Sequence, residues 1–175
     1  MILTRQILRS RALAPLVLLL LALGLGLHPG PIRADTARSF TLHLPSGDRL
    51  QLSPNDLAAL PLTEFVTSTV WTEGVDRYTG VLLRDLLHHH GIEAGRGTGR
   101  VLLTAIDGYS AVIEFAAITE RAPMLAFLRN GAIMPLRRQG PFWLIFPYDD
   151  DAAFRTETIY ALSVWQVETV SVIQP

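Results

Sequence analysis

The chain has 175 residues, with 15 basic and 16 acidic side chains, and it contains no cysteine. The absence of cysteine excludes disulfides, a cysteine nucleophile, thiol redox chemistry and sulfur ligands to a metal. No basic cluster is long enough to follow a phosphate backbone, so we expect no nucleic-acid partner.

The first 34 residues have the pattern of a secretory signal peptide. Arginines precede a leucine-rich apolar run from Ala12 to Leu27, and Ala34 is the small residue at the expected cleavage position. The run of about 16 residues is shorter than the roughly 20 that a membrane-spanning helix needs. We therefore predict a signal peptide over 1–34, Sec-type export to the periplasm and one mature domain over 35–175. Membrane attachment is expected only if the leader stays uncleaved.

The mature chain begins with a predicted hairpin and a capped helix. Arg38–Leu44 alternates polar and apolar residues, and a Pro-Ser-Gly-Asp turn leads into a second short strand, Arg49–Leu52. Ser53 is placed to cap the helix that follows, with Pro54 at its first position and Asp56 completing a capping box.

A strand and a longer helix are predicted next. Leu62–Thr72 is rich in β-branched and aromatic residues, which favours a strand. Residues 73–77 are polar and are predicted as a loop. Thr79 is then expected to cap a helix over Gly80–His90, which Gly91 ends.

The second half of the chain is rich in predicted strands. Val101–Ile106 and Tyr109–Phe115 flank an Asp-Gly turn and predict a hairpin. Met124–Arg129 is a further strand, closed by the turn Asn130–Gly131. A basic loop from Pro135 to Gly140 follows.

The most apolar short run, Phe142–Phe146, lies between Gly-Pro and Pro147 and predicts a strand buried on both faces. Asp149–Asp151 follow it directly and need solvent or a cation. A weak helical pattern over Arg155–Ser163 and a strand over Val164–Ile173 complete the chain. Strands with a few short helices and no long βαβ series predict an α+β fold with a mixed sheet.

Three polar clusters have both a structural and a functional interpretation. Three successive histidines, His88–His90, point in different directions on a helix, which favours a structural role over a metal site. Asp149–Asp151 lacks the spaced, glycine-containing pattern of a calcium loop, so a solvated loop is favoured. Arg137 and Arg138 belong to a solvated loop or hold an anion. No serine lies in a nucleophile motif, and hydrolase activity is not supported.

Four segments of the chain form a recognisable series. They are an aromatic-x-Gly-Val-x-Leu segment, an Ala-x-Asp-Gly-Tyr segment, a Leu-Ala strand with an Asn-Gly turn, and a Gly-Pro strand ending in proline. They span residues 78–87, 105–111, 124–131 and 140–147. In this order they resemble the molybdopterin-binding domain of the sulfite-oxidase type, in a small stand-alone periplasmic form. The resemblance covers roughly Phe40 to Ile173.

The resemblance also implies what this chain has lost. In that family a cysteine thiolate binds molybdenum just upstream of the aromatic-Gly segment, whereas Val66–Thr72 offers only Ser68 or Thr69. An alcohol is essentially never ionised at neutral pH and is a far poorer ligand. The family's arginine in the Gly-Pro strand is replaced by Trp143. The resemblance therefore implies a degenerate cofactor site.

The leader supports the same interpretation. Related molybdenum enzymes acquire their cofactor in the cytoplasm and leave folded through a twin-arginine signal, but here Ser10 separates the leader's arginines Arg9 and Arg11. The strongly apolar leader is typical of the route for unfolded chains, which carry no buried cofactor.

We therefore predict a non-catalytic accessory domain that binds a small anion or a periplasmic or inner-membrane protein, with no catalytic residue, no metal and no cofactor. The candidate ligand-binding residues lie at predicted strand ends and turns. They are Trp71, Asp107, Tyr109, Arg137, Arg138, Tyr148 and Asp149. The alternative is a molybdopterin-dependent oxidoreductase whose metal ligand is an oxygen of Ser68 or Thr69.

Overall fold

The computed structural model describes residues 39–95 and 98–174. Within these residues there are ten strands: β1 (Phe40–His43), β2 (Arg49–Leu52), β3 (Thr63–Ser68), β4 (Val75–Leu82), β5 (Arg100–Ala105), β6 (Ser110–Glu114), β7 (Met124–Arg129), β8 (Ala132–Ile133), β9 (Trp143–Ile145) and β10 (Val167–Ile173). The α-helices are α1 (Pro54–Ala58), α2 (Leu83–His89) and α3 (Glu157–Leu162). Short 3-10 turns occur at Phe115–Ala117, Leu136–Arg138 and Ala152–Phe154.

The strands form two sheets. The first has the order β2-β1-β10-β5-β6, in which β1 and β10 are parallel and every other pair is antiparallel. In the second, β3, β4 and β7 are neighbours, and both β8 and β9 pair with β7. The predicted α+β class with a mixed sheet is confirmed, although the strands divide between two sheets.

Strand β9 lies between two apolar cores. Phe142 and Leu144 belong to the larger core, which the first sheet and α2 share. Trp143 and Ile145 point the other way, into a smaller core rich in aromatic rings. All four side chains are fully buried. The prediction of a strand buried on both faces is confirmed.

Elements with local sequence signals form as predicted. Ser53 accepts a hydrogen bond from the backbone N–H of Asp56, whose carboxylate accepts the Ser53 N–H at 2.8 Å, which completes the capping box. Asn130 and Gly131 both have positive φ, as the tight turn between β7 and β8 requires. The two predicted hairpins β1–β2 and β5–β6 are present.

The prediction for residues 75–82 is wrong. The end of the polar segment and the predicted first turn of the helix are instead strand β4, and the helix begins only at Leu83, with no side-chain cap from Thr79. Gly80 explains the difference, because a Cβ there would lie 2.2 Å from the carbonyl oxygen of Leu125 on β7. Glycine at this position lets two strands approach closely, and the first helical N–H, on Leu83, bonds to the carbonyl of Pro123.

No helix among residues 39–95 and 98–174 is long and apolar enough to cross a membrane. The predicted leader lies outside the described residues, so export and cleavage after Ala34 stay predictions.

Candidate functional site

All three tryptophans of the chain lie together. Trp71 follows β3, Trp143 is in β9, and Trp165 precedes β10 and forms an isolated bridge with Trp143. The ring centroids are 5.4 Å apart for Trp71 and Trp165, 5.7 Å for Trp71 and Trp143, and 6.2 Å for Trp143 and Trp165. Segments far apart in sequence therefore converge on one aromatic cluster.

Two members of this cluster, Trp71 and Trp165, line a cavity of about 320 Å³, which we call the aromatic cavity. The cavity lies between the tip of the β5–β6 hairpin and the segment from α3 to Trp165. Its lining residues are Trp71, Ala105, Asp107, Tyr109, Tyr160, Ser163, Val164 and Trp165. Asp107 carries the single charge among these lining residues. The volume is within the range of small-molecule sites.

The aromatic rings that line the cavity pack edge-to-face and are not stacked on one another. The ring of Trp71 is inclined by 83° to that of Trp165 and by 84° to that of Tyr160, with centroids 5.4 Å and 5.6 Å away. Edge-to-face pairs of this kind are favourable because the ring edge is positive and the ring face negative. The packing therefore holds the walls in place without a ligand.

The hairpin tip is attached to α3 by a hydrogen bond. The hydroxyl of Tyr109 donates to the carbonyl of Ala161 at 2.7 Å. Asp107 closes the turn itself, since its Oδ1 accepts the backbone N–H of Tyr109 at 3.0 Å. These contacts fix the carboxylate and the phenol at the mouth of the cavity.

A buried hydrogen-bond network is centred on Ser163, which also lines the cavity. Ser163 donates its single hydroxyl hydrogen to the carbonyl of Ile159 at 2.8 Å, so the 2.7 Å contact between Tyr148 and Ser163 has Tyr148 as donor. Burial raises the pKa of the Tyr148 phenol well above its ordinary value, which keeps it protonated as this contact requires. The indole of Trp143 donates to the Ser163 carbonyl at 3.2 Å.

Asp149 has a different role, as a connection between β3 and the segment that follows β9. Its carboxylate accepts the backbone N–H of Ser68 at 2.6 Å and the Ser68 hydroxyl at 2.8 Å. Hydrogen bonds from the backbone and then the side chain of Ser68 hold the pKa of Asp149 below its ordinary value. Its neighbour Asp151 caps the turn at Ala152–Phe154. Among the described residues no group of three or more histidines or carboxylates is arranged to hold a metal ion.

Apart from Asp149, the candidate residues predicted from sequence separate into three groups. Trp71, Asp107 and Tyr109 line the aromatic cavity. Tyr148 is buried behind the cavity lining, and its ring centroid is 6.3 Å from that of Trp71. Arg137 and Arg138 are exposed and line another cavity, beside Arg129 and Met134.

Sequence reasoning missed Tyr160 and Trp165, which complete the walls. Tyr160 was part of a weak helical pattern, and Trp165 of a predicted strand that begins only at Val167. For Trp165 the available signal was its residue type, because tryptophan is enriched at binding surfaces.

The family model described as oxidoreductase molybdopterin binding domain matches residues 30–149, which is more than half of the chain. Among solved structures, the sulfane dehydrogenase SoxCD from Paracoccus pantotrophus is similar, with a TM-score of 0.57 and 18% sequence identity. The alignment covers 85% of this chain and 41% of that chain, so this chain spans about two fifths of its length. The likeness shows the fold. No curated protein sequence matches the chain.

Proposed function

Since the chain belongs to the oxidoreductase molybdopterin-binding domain family, we propose that it is an exported, non-catalytic member that uses this scaffold to bind a ligand. The observation that carries the proposal is the aromatic cavity, whose walls and polar supports are already in place. A cavity with fixed apolar walls and a few placed polar groups is the usual form of a small-molecule site.

The described residues do not fit the molybdopterin cofactor that the family name implies. The Ser68 hydroxyl donates to the Asp149 carboxylate at 2.8 Å, and a negative charge this close opposes the alkoxide that a metal ligand requires. Thr69 pairs with the Thr72 hydroxyl at 2.8 Å and accepts the Trp71 N–H. The residues that line the aromatic cavity include no cationic side chain that could bind the cofactor's phosphate.

Molybdenum content tests this function directly. The full chain with its leader is produced in a molybdenum-replete bacterium, purified from the periplasm and analysed for metals, beside a catalytic member of the family from the same host. We expect the control to be loaded and this protein to contain far less than one molybdenum per chain. Stoichiometric molybdenum, or oxidation of sulfite by the purified protein, would support the alternative with an oxygen ligand from Ser68 or Thr69.

Export is tested in the same preparation by determining the N-terminus of the periplasmic protein. The proposal expects a chain that begins at Asp35, because Ala34 is the small residue at the cleavage position. A protein that keeps its leader and stays in the membrane fraction would contradict it.

Docking of a partner protein is a second proposed use, favoured by the exposed edge of the second sheet. Strand β3 is an edge strand. Four exposed aliphatic side chains lie on it or next to it: Leu62, Val66, Val70 and Val75. An open edge with exposed apolar groups is a template for strand addition. Val66→Lys should leave folding unchanged and abolish association with a partner, and association that survives this change would place the partner elsewhere.

A further inference from the structure

We propose that the aromatic cavity recognises a small organic cation through a quaternary ammonium group. This inference rests on the proposed binding function and gives the chemical class of its ligand. It differs from the small anion that the sequence suggested, because the arginines behind that expectation lie at another cavity.

The charge of the lining is the first support. Asp107 is the single charged residue among those that line the cavity, and it is negative. Its Oδ1 accepts the Tyr109 N–H, while among the described residues Oδ2 has no hydrogen-bond partner and stays available to a cation. An anion would meet this carboxylate, which repels it, and the lining offers it no cationic side chain.

The walls are the second support. Trp71, Tyr109, Tyr160 and Trp165 all line the cavity, and the ring of Trp71 is nearly perpendicular to those of Trp165 and Tyr160. Rings that meet at a corner can contact one bound group on more than one side. Aromatic cages of tryptophan and tyrosine attract quaternary ammonium groups through the ring quadrupole.

The polar groups of the lining favour a quaternary nitrogen over a primary one. The hydroxyls of Tyr109 and Ser163 already donate to the carbonyls of Ala161 and Ile159, and the Ser163 oxygen also accepts from Tyr148. Asp107 is the single charged acceptor of the lining, whereas a primary ammonium brings three N–H donors that need acceptors. A quaternary ammonium has no N–H donor, so its recognition needs only the carboxylate and the aromatic rings.

A pair of probes of equal shape tests the proposal. Choline and its neutral isostere 3,3-dimethylbutan-1-ol are titrated into the full mature protein by calorimetry and by tryptophan fluorescence. Because all three tryptophans belong to this cluster, their emission reports on this site. We expect choline to bind about fivefold more tightly than the alcohol, which is a typical gain for a cation beside aromatic rings at a partly exposed site.

Asp107→Asn tests the contribution of the carboxylate. Asparagine keeps the oxygen that accepts the Tyr109 N–H, so the turn is expected to stay intact. The variant should bind choline several-fold more weakly and bind the alcohol as before. Asp48→Asn is the matched control, because Asp48 lies in a turn at the opposite end of the first sheet from the cavity. This turn follows β1, beside the end of β10, whereas Ala105 of the cavity lining pairs with Val167 at the start of β10.

Any of three results would overturn the inference. The first is equal affinity for choline and the alcohol, and the second is no binding of choline at millimolar concentration. The third is an Asp107→Asn variant that binds choline like the natural protein. The proposed accessory function is judged separately, by molybdenum content, so either conclusion can fail without the other.

Discussion

The ion pair between Asp76 and Arg129 gives a sharp test of how the second sheet is stabilised. Asp76 lies on β4 with only 8% of its surface exposed. Its Oδ2 accepts both Nε, at 2.8 Å, and Nη2 of Arg129 on β7. Its Oδ1 accepts the amide of Asn130 at 2.7 Å, and Asn130 in turn accepts the Arg77 N–H. One carboxylate therefore connects two strands and the turn that follows.

Asp76→Asn removes the charge and leaves the guanidinium of Arg129 without its counterion. Removing one partner of a fully buried pair costs about 3–5 kcal/mol, whereas an exposed pair is worth about 0–1 kcal/mol. The side chains of Arg129 and Asp76 are 22% and 9% exposed, which is closer to the buried limit. We expect the free energy of unfolding to fall by about 2–3 kcal/mol.

Urea denaturation followed by tryptophan fluorescence measures this change, and the slope of the transition should stay constant. Glu64→Gln is the matched control, because it removes the carboxylate from the pair Glu64–Arg77 on the same sheet, whose side chains are 41% and 59% exposed. It should cost less than about 1 kcal/mol. If the two variants lost the same stability, burial would not determine the strength of these pairs and the reasoning would be wrong.

The pH dependence follows from the same contacts. Burial opposes ionisation of Asp76, but the hydrogen bonds from Arg129 and Asn130 and the charge of Arg129 outweigh it, so its pKa lies below the ordinary 3.8. The stability it supplies is fully present above pH 3.8 and is lost as the pH falls through the lower, folded-state pKa. The difference in melting temperature between the natural protein and Asp76→Asn should therefore be constant near pH 7 and shrink below about pH 4. A difference that stayed constant to pH 2 would contradict this assignment.

Four further substitutions test the packing and capping of the fold. Gly80→Ala should destabilise the protein by about 3 kcal/mol or prevent folding, measured by urea denaturation, because the new Cβ would meet strand backbone at 2.2 Å. Ser163→Ala should cost about 1–3 kcal/mol, since it leaves the buried Tyr148 hydroxyl without its acceptor. Tyr148→Phe should cost less, because Ser163 keeps its bond to the Ile159 carbonyl, and the reverse order would disprove the donor assignment. Ser53→Ala should lower stability by about 1 kcal/mol through the loss of the cap on α1.

The parts of the fold that were predictable are those whose signals are local. The Asn-Gly turn, the capping box at Ser53 and the apolar run at β9 each depend on a few adjacent residues, and each is present. The start of α2 was not predictable in this way. Thr79 and Gly80 match a helix start locally, but Gly80 is needed where β4 approaches β7, which is more than forty residues away.

The candidate site was predictable to a similar extent. Asp107 and Tyr109 lie at a hairpin tip, and Trp71 follows a strand, so each was a reasonable candidate. Asp149 was a candidate ligand-binding residue, but its carboxylate accepts hydrogen bonds from Ser68, a partner 81 positions earlier in the chain. Only the tertiary fold determines whether a polar group at a strand end faces a ligand or another part of the protein.

The surroundings of Trp143 do not fit the arginine that the family resemblance implies at this position. By its resemblance to the family, this position would carry an arginine, yet the indole is fully buried and packs edge-to-face against Tyr78 and Trp71. Its N–H donates to the Ser163 carbonyl, in the same network that holds Tyr148. An arginine in this place would bury a guanidinium among aromatic rings, which is costly unless the charge is paired. Trp143 is therefore part of the core that holds β9, and the packing that stabilises the fold disfavours an arginine at this position.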